Sequence, residues 1–226
     1  MTFNGLHGKP LDSRGFFFLV LLSGLLLASL SASAQLRAKA VTASYSIKEV
    51  KPDGQQQLSM GSIRYDAESF ILNYDNHFPS HYQIVINDTA VHFFKDGELQ
   101  RSEASTEMAR FSVFHLVLNA QLATFGLRDS PFEMTESESD DGMILSRWEP
   151  KLPMKGPLSA YEIALKDDKL YGIISRGKKD EVLGKQFFSD YINVNGHLFP
   201  TTCEEVRYLK EGEHTKVTTY SNIKLL

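Results

Sequence analysis

Residues 69–75 read Ser-Phe-Ile-Leu-Asn-Tyr-Asp, a stretch in which large apolar side chains recur at every second position. Phe70, Leu72 and Tyr74 fall on one side of an extended chain, and Asn73 falls on the other. A side-chain period of two is typical of a strand with one buried face. This stretch therefore predicts a half-buried β-strand.

The same alternation extends along most of the chain. Tyr82, Ile84 and Ile86 repeat it, and Asp96-Gly97 is a strong signal for a hairpin turn. Residues 160–225 read as further strands separated by short polar turns. We therefore predict a mainly β fold of about 10–11 antiparallel strands, with sequence neighbours adjacent in the sheet. A sheet this wide is expected to curl and to present a concave apolar face.

Residues 107–126 depart from this rhythm, because their apolar side chains recur at spacings of three and four. That period predicts one helix, capped by Thr106 and ended by Gly126. The acidic stretch 133–141 that follows predicts a solvent-exposed loop. One helix is too small to fill the hollow of a curled sheet, so we expect either a cavity or a partner surface beneath it.

Residues 1–34 have the features of an export signal. An apolar run at 16–30 follows a short basic region, and Ala-Ser-Ala at 32–34 is a pattern that signal peptidase accepts. The run is shorter than the roughly 20 residues of a spanning helix, which favours a cleaved signal over a membrane anchor. We expect cleavage near Ala34, which would leave 35–226 as a single β domain in the periplasm.

Residue types that could support catalysis or metal binding occur without a convincing arrangement. Cys203 and His197 lie six residues apart on one predicted strand, about 20 Å at 3.3 Å per residue, so they cannot form a nucleophile and base pair. His77, His81 and His92 are possible zinc ligands, but a spacing of four on non-helical backbone does not reliably bring the first two together. We therefore predict no catalytic residues, no metal site and no cofactor, and a protein that is not an enzyme.

Three stretches of the chain resemble the LolA-like periplasmic carriers, the superfamily of LolA, LolB and LppX. They are residues 61–74, residues 84–94 with their aromatic pair, and the C-terminal residues 196–223. The resemblance implies an unclosed antiparallel β-barrel with a helical lid, which holds acyl chains on its concave side. In the carriers that shuttle lipoproteins, a Lys-Arg-Pro segment supplies an arginine that tethers the lid. The matching residues 65–68 here are Tyr-Asp-Ala-Glu and lack that arginine.

This resemblance implies a periplasmic carrier or chaperone for lipids or lipoprotein acyl chains, with outer-membrane lipoprotein sorting as one such role. Its partners would be a lipid or an acylated lipoprotein, together with inner- and outer-membrane envelope proteins, and we expect a monomer. A formal charge of -4 argues against nucleic acid as a partner. The alternative is a cell-envelope protein-interaction module that docks a partner on the apolar helix face.

The candidate ligand-binding residues are the apolar side chains of the strands and of the predicted helix. Each could equally belong to an ordinary core, because half-buried strands and helices show the same pattern. The candidates for an apolar cavity are Phe70, Leu72, Tyr74, Tyr82, Ile84, Ile86, Phe111, Phe114, Leu118, Leu122 and Phe125.

Overall fold

The structure is a computed structural model that describes residues 38–104 and 109–226. The predicted export signal at 1–34 and the predicted helix cap at Thr106 lie outside the described residues.

Within the described ranges, thirteen strands form one antiparallel sheet, two or three more than the alternation pattern predicted. The first six are β1 (Ala40–Val50), β2 (Gln56–Asp66), β3 (Ile71–Phe78), β4 (Tyr82–Ile86), β5 (Ala90–Lys95) and β6 (Glu98–Ala104). The last seven are β7 (Phe132–Asp140), β8 (Met143–Pro150), β9 (Leu158–Lys166), β10 (Lys169–Gly177), β11 (Val182–Val194), β12 (His197–Leu209) and β13 (Gly212–Leu225).

The strand order is β6-β5-β4-β3-β2-β1-β13-β12-β11-β10-β9-β8-β7. Strands adjacent in sequence pair within each run, as predicted, and β1 pairs with β13 to join the two runs in the middle of the sheet. The two edges are therefore β6 and β7, which flank the helical part of the chain. The mainly β fold is confirmed, and the sheet is not closed.

Tight hairpins connect several of these strands. Asp96 and Gly97 both have positive φ, 53° and 80°, and so do Asn195 and Gly196, 50° and 87°. Two-residue hairpin turns that match the twist of a sheet need positive φ at both central residues, which Asp-Gly and Asn-Gly tolerate well. The turn predicted at Asp96-Gly97 is confirmed by the strands on either side of it.

The residues that line one cavity show that the sheet is curled. Ile86 on β4 and Tyr161 on β9 line one cavity, although these strands are eight positions apart in the sheet order. A flat sheet would hold them roughly 38 Å apart, at about 4.8 Å per strand. The sheet therefore curls around the space between them, as expected for a sheet of this width.

The acidic stretch predicted to be a loop is instead edge strand β7. It pairs with β8, placing Glu133 opposite Glu149 and Glu136 opposite Arg147. Every residue of β7 after Phe132 is exposed. An edge strand needs a partner on one side only, so acidic side chains can extend into water while the backbone stays paired. The loop prediction was wrong because the apolar face that usually reveals a strand is missing.

The predicted helix across 107–126 was also wrong. The described part contains one short helix, α1 (Val113–Leu118), and three 3-10 turns at Ala109–Phe111, Leu122–Thr124 and Leu127–Asp129. Positive φ values at Ala120 (53°), Phe125 (48°) and Gly126 (70°) interrupt any longer helix. Ser112 begins α1, and its hydroxyl accepts a hydrogen bond from the backbone N–H of His115. Residues 109–129 are called the lid segment below.

The lid segment is fixed to the inner face of the sheet by α1, all six of whose residues are buried. Phe114 packs against Phe199 and Tyr220, with ring centroids 6.3 Å and 5.1 Å away. Val113, Leu116 and Val117 are apolar on the helix's other side and are buried too, so the helix has contacts on both sides. No helix among the described residues combines the length and apolar character needed to cross a membrane.

Candidate functional site: a cavity beneath the lid segment

A cavity of about 380 Å³ lies between the inner face of the sheet and the lid segment. Six of the eleven candidate residues line it: Leu72, Tyr74, Ile86, Phe111, Phe114 and Phe125. They come from β3, β4 and the lid segment, which are distant from one another in sequence. The fold therefore brings these side chains to one apolar wall.

The other five candidates lie outside this wall. Leu118 is buried in the core, and Leu122 packs against it. Tyr82 and Ile84 are half-buried on β4, where Tyr82 pairs with Asn76 of β3 and Ile84 pairs with Tyr74 of β3 and Phe93 of β5. Phe70 was predicted on the same strand face as Leu72, but it precedes β3 and has a φ of 55°. Its ring is therefore directed by a turn rather than by the strand pleat.

Polar contacts add to the packing of α1 in holding the lid segment against the sheet. A buried hydrogen bond of 2.5 Å joins the Tyr65 hydroxyl on β2 to Nδ1 of His115 on α1. Nε of Arg110 donates to Oδ2 of Asp88, in the turn between β4 and β5, at 2.6 Å. The Arg110 guanidinium also lies 4.0 Å from the centroid of the Phe70 ring. Residues 65–68 lack a tethering arginine, and here an arginine on the lid segment itself contacts the sheet.

Charged side chains form a second feature of the cavity, which the sequence analysis missed. Lys216 on β13 pairs in register with Glu205 on β12, and Glu205 with Gln186 on β11. Nζ of Lys216 lies 2.9 Å from Oε2 of Glu205, and Nε of Arg207 contacts the other carboxylate oxygen. All four of these residues line the cavity, and they are called the charged row below: Lys216, Glu205, Arg207 and the uncharged Gln186.

The Glu205 carboxyl of the charged row stays ionised in spite of its partial burial. Burial alone would raise the pKa of the Glu205 carboxyl. The Lys216 and Arg207 cations outweigh that effect and hold this pKa below its usual value. The row therefore presents a carboxylate between two cations on the cavity wall.

An apolar row lies beside the charged row on the same face. Ile47, Thr218, Cys203 and Phe188 pair in register across β1, β13, β12 and β11, and all four line the cavity. Burial raises the pKa of the Cys203 thiol to about 12, so the thiol stays protonated at neutral pH. A protonated, partly buried thiol is a packing group rather than a nucleophile.

Two of the three histidines considered as zinc ligands lie closer together than their spacing in the sequence suggested. Nε2 of His77 and Nε2 of His81 lie 3.3 Å and 2.9 Å from the two carboxylate oxygens of Asp75, so the fold does bring this pair together. His92 is instead hydrogen-bonded to Ser102 across β5 and β6. In residues 38–104 and 109–226, no group of three or more ligand side chains is placed to hold a metal ion.

A larger pocket of about 530 Å³ lies on the opposite, outer face of the sheet. Its floor includes Leu145, Ala164, Gly172 and Phe187, which pair in register across β8 to β11. Arg147 borders this pocket. Its Nη1 lies 3.1 Å from Oε1 of Glu162, and its Nε lies 2.8 Å from Oε1 of Glu149. No residue of the lid segment lines this pocket, so it is open on the side away from the sheet.

Several solved structures resemble this fold although their sequences are only 9–14% identical to this chain. No protein-family model and no curated protein sequence matches the chain. A LolA superfamily protein from Nitrosomonas europaea is similar, with a TM-score of 0.58, 14% identity, and coverage of 84% of this chain and 87% of that one. A DUF1329 family protein from Desulfovibrio piger has a TM-score of 0.58, 12% identity and 89% coverage of both chains.

A third similar structure is a domain from Vibrio parahaemolyticus that is assigned to outer membrane lipoprotein sorting. Its TM-score is 0.59 at 9% identity, with 90% of this chain and 91% of that chain covered. At identities this low the likeness concerns the fold. The open thirteen-stranded sheet, its small helical lid and these three structures together show that the chain has a LolA-like fold.

Proposed function

We propose that this chain is a periplasmic binding or carrier protein for lipids or lipoprotein acyl chains, and not an enzyme. The observation that carries the proposal is the cavity between the curled sheet and the lid segment, one wall of which is apolar and aromatic. An acyl chain held between the sheet and the lid segment has protein on two sides, and this removes part of its apolar surface from water.

The energetics of such a cavity are sufficient without any specific polar contact. Each methylene group transferred from water contributes about 0.8 kcal/mol. An acyl chain that buries a dozen methylenes would gain roughly 10 kcal/mol before the cost of association is subtracted. The aromatic wall formed by Tyr74, Phe111 and Phe125 supplies the surface for this contact.

The proposed binding residues are the eleven apolar candidates named from the sequence, with the six on the cavity wall contacting the chain directly. The other five would act by shaping the core and β4 around it. Entry requires the lid segment to move away from the sheet. The Arg110 contact with Asp88 lies at the surface and would separate first, whereas the Tyr65 and His115 pair is buried.

A periplasmic location and a role in outer-membrane lipoprotein sorting are part of the proposal. They are supported by the export signal predicted at 1–34 and by the assigned role of the Vibrio parahaemolyticus domain. Inner- and outer-membrane envelope proteins would then deliver and receive the ligand, and the chain would act as a monomer. The alternative of a protein docked on the apolar helix face is not proposed, because all of α1 is already buried.

The test is to identify what co-purifies with the protein. We expect mass spectrometry of organic extracts from the full-length chain, expressed and purified without detergent, to show bound fatty acid or phospholipid. Thr218→Phe places a ring in the cavity and should remove most of this lipid. Thr219→Phe is the control, because Thr219 is exposed on the other face of the same strand.

Equal lipid in the Thr218→Phe and Thr219→Phe variants would contradict binding in this cavity. A clean extract, together with no binding of a fluorescent acyl probe, would contradict the carrier function itself. Near-ultraviolet circular dichroism of both variants establishes that each retains native packing.

A further inference from the structure

We propose that the cavity binds a single-chain amphiphile whose anionic head group, a carboxylate or a phosphate, contacts Lys216 and Arg207 of the charged row. This inference rests on the proposed carrier function and adds the chemistry of the ligand's polar end. The head group would sit at the charged row, and the tail would run along the apolar row towards the lid segment.

The two rows have the spacing that an amphiphile requires. Lys216 and Thr218 are two residues apart on β13, and Glu205 and Cys203 are two residues apart on β12. Residues two apart on a strand share a face and are about 7 Å apart. An acyl chain in contact with Phe188 and Thr218 therefore has its end within reach of the charged row.

The charged side chains that line the cavity favour a ligand with an anionic head group. The charged row contains two cations, Lys216 and Arg207, and one carboxylate, Glu205, which gives a formal charge of +1. Glu204 is also at the cavity wall, but strand alternation directs its side chain to the outer face, where it pairs with Phe187. Glu49 on β1 lies opposite Lys216 and on the same inner face of the sheet, but it does not line the cavity. Its Oε2 lies 4.0 Å from Nε2 of His214.

The volume of the cavity favours one acyl chain. At about 380 Å³ it is in the lower part of the roughly 300–1,000 Å³ typical of small-molecule sites. A fatty acid or a lysophospholipid has one chain and an anionic head. A lipid with two or three chains would require the lid segment to move further from the sheet.

The test compares a fatty acid with its methyl ester, which has the same tail but no charge. cis-Parinaric acid and its methyl ester are titrated into the full-length protein, and binding is followed by fluorescence. We expect the acid to bind roughly five- to tenfold more tightly than the ester, the effect of one partly exposed charge-assisted hydrogen bond. Lys216→Met should lower the affinity for the acid by more than the affinity for the ester, so that most of the preference for the acid is lost and Arg207 supplies the remainder. Lys224→Met, on the outer face of the same strand, is the control and should change neither.

A second variant separates ligand recognition from a purely structural role. Glu205→Gln raises the formal charge of the row to +2, so the acid should bind more tightly while the ester does not. If the row served only to hold β12 and β13 together, Glu205→Gln and Lys216→Met would weaken both probes alike, and the proposal would be overturned. Lys216→Gln replaces Lys216→Met if the methionine variant does not fold, as judged by thermal melting.

Competing ligands distinguish a carboxylate from a phosphate head group. They also separate failure of the head-group inference from failure of the carrier function. Displacement of the probe by palmitate identifies a carboxylate, displacement by lysophosphatidylglycerol identifies a phosphate, and either result supports the inference. Displacement by palmityl alcohol as effectively as by both acids overturns the inference but leaves the carrier function in place. If the protein binds neither parinaric acid nor its ester, the carrier function and the inference fail together.

Discussion

The two pockets of this sheet lie on opposite faces and differ in what covers them. The outer pocket is larger, about 530 Å³ against 380 Å³, yet its lining comes from strands alone and its border carries the ion pairs of Arg147. The inner cavity is smaller and also partly open, but the lid segment contributes one of its walls and it is continuous with the core. The comparison teaches that a wall able to move, more than volume, marks a site for an acyl chain, because the lid segment can cover apolar surface that strands alone leave facing water.

The largest effect that can sharpen this comparison is a change in packing beneath the lid segment. Phe199 is fully buried and contacts Phe114, so Phe199→Ala should lower the free energy of unfolding by about 3–5 kcal/mol. Phe187→Ala, on the half-buried outer row, should cost about 1 kcal/mol or less. Urea denaturation of both variants makes the measurement. Equal losses would mean that the two faces are packed alike.

The buried hydrogen bond between the lid segment and β2 has the next largest expected effect. Tyr65→Phe removes the hydroxyl that pairs with Nδ1 of His115, and it should lower the unfolding free energy by about 1–2 kcal/mol. Tyr171→Phe is the control, because Tyr171 borders the outer pocket and is 44% exposed. A loss no larger than that of the control would indicate that α1 is held by packing alone.

The charged row predicts a dependence of stability on pH. Because the folded-state pKa of Glu205 lies below its unfolded value, its contribution to stability is fully present above about pH 4.5 and is lost as the pH falls through the folded pKa. We expect unfolding free energy to decline less steeply below pH 4.5 in Glu205→Gln than in the unmodified protein. Superimposable pH profiles would show that Lys216 and Arg207 do not stabilise the ionised carboxylate.

The smallest expected effect on stability belongs to the surface contact of the lid segment. Arg110→Ala should cost less than about 1 kcal/mol, since Arg110 and Asp88 are both partly exposed. It should nevertheless speed the release of an acyl probe in stopped-flow displacement, because the contact holds the lid segment to the turn between β4 and β5. Arg128→Ala alters another exposed arginine of the lid segment and should leave the release rate unchanged. Identical rates in the two variants would argue against a tether at Arg110.

Most of the sheet could be predicted from the sequence, because one buried face leaves a period of two in β3, β4 and the C-terminal strands. Two elements could not. Strand β7 shows no such period, since its acidic side chains face water and only its backbone is paired. The lid segment shows the helical period, but Ala120, Phe125 and Gly126 have positive φ, which periodicity does not reveal.

The candidate site was predictable in part for a related reason. Leu72, Tyr74 and Phe114 follow from alternation and helical spacing, because each is an apolar residue on a buried face. Lys216 and Glu205 look like ordinary surface residues when each strand is considered alone. Their place on the cavity wall depends on the register of β12 with β13 and on the curl of the whole sheet. That information is spread over the fold and is not contained in any single stretch of sequence.

The most direct measurement locates a bound acyl chain on the protein. A fatty acid carrying a photoreactive diazirine at its tail is bound, irradiated and mapped by mass spectrometry of the resulting peptides. We predict adducts at Phe125, Phe188 and Tyr220, on the inner face beneath the lid segment. Adducts concentrated at Leu145, Ile174 and Phe187 would place the ligand in the outer pocket and would contradict the account.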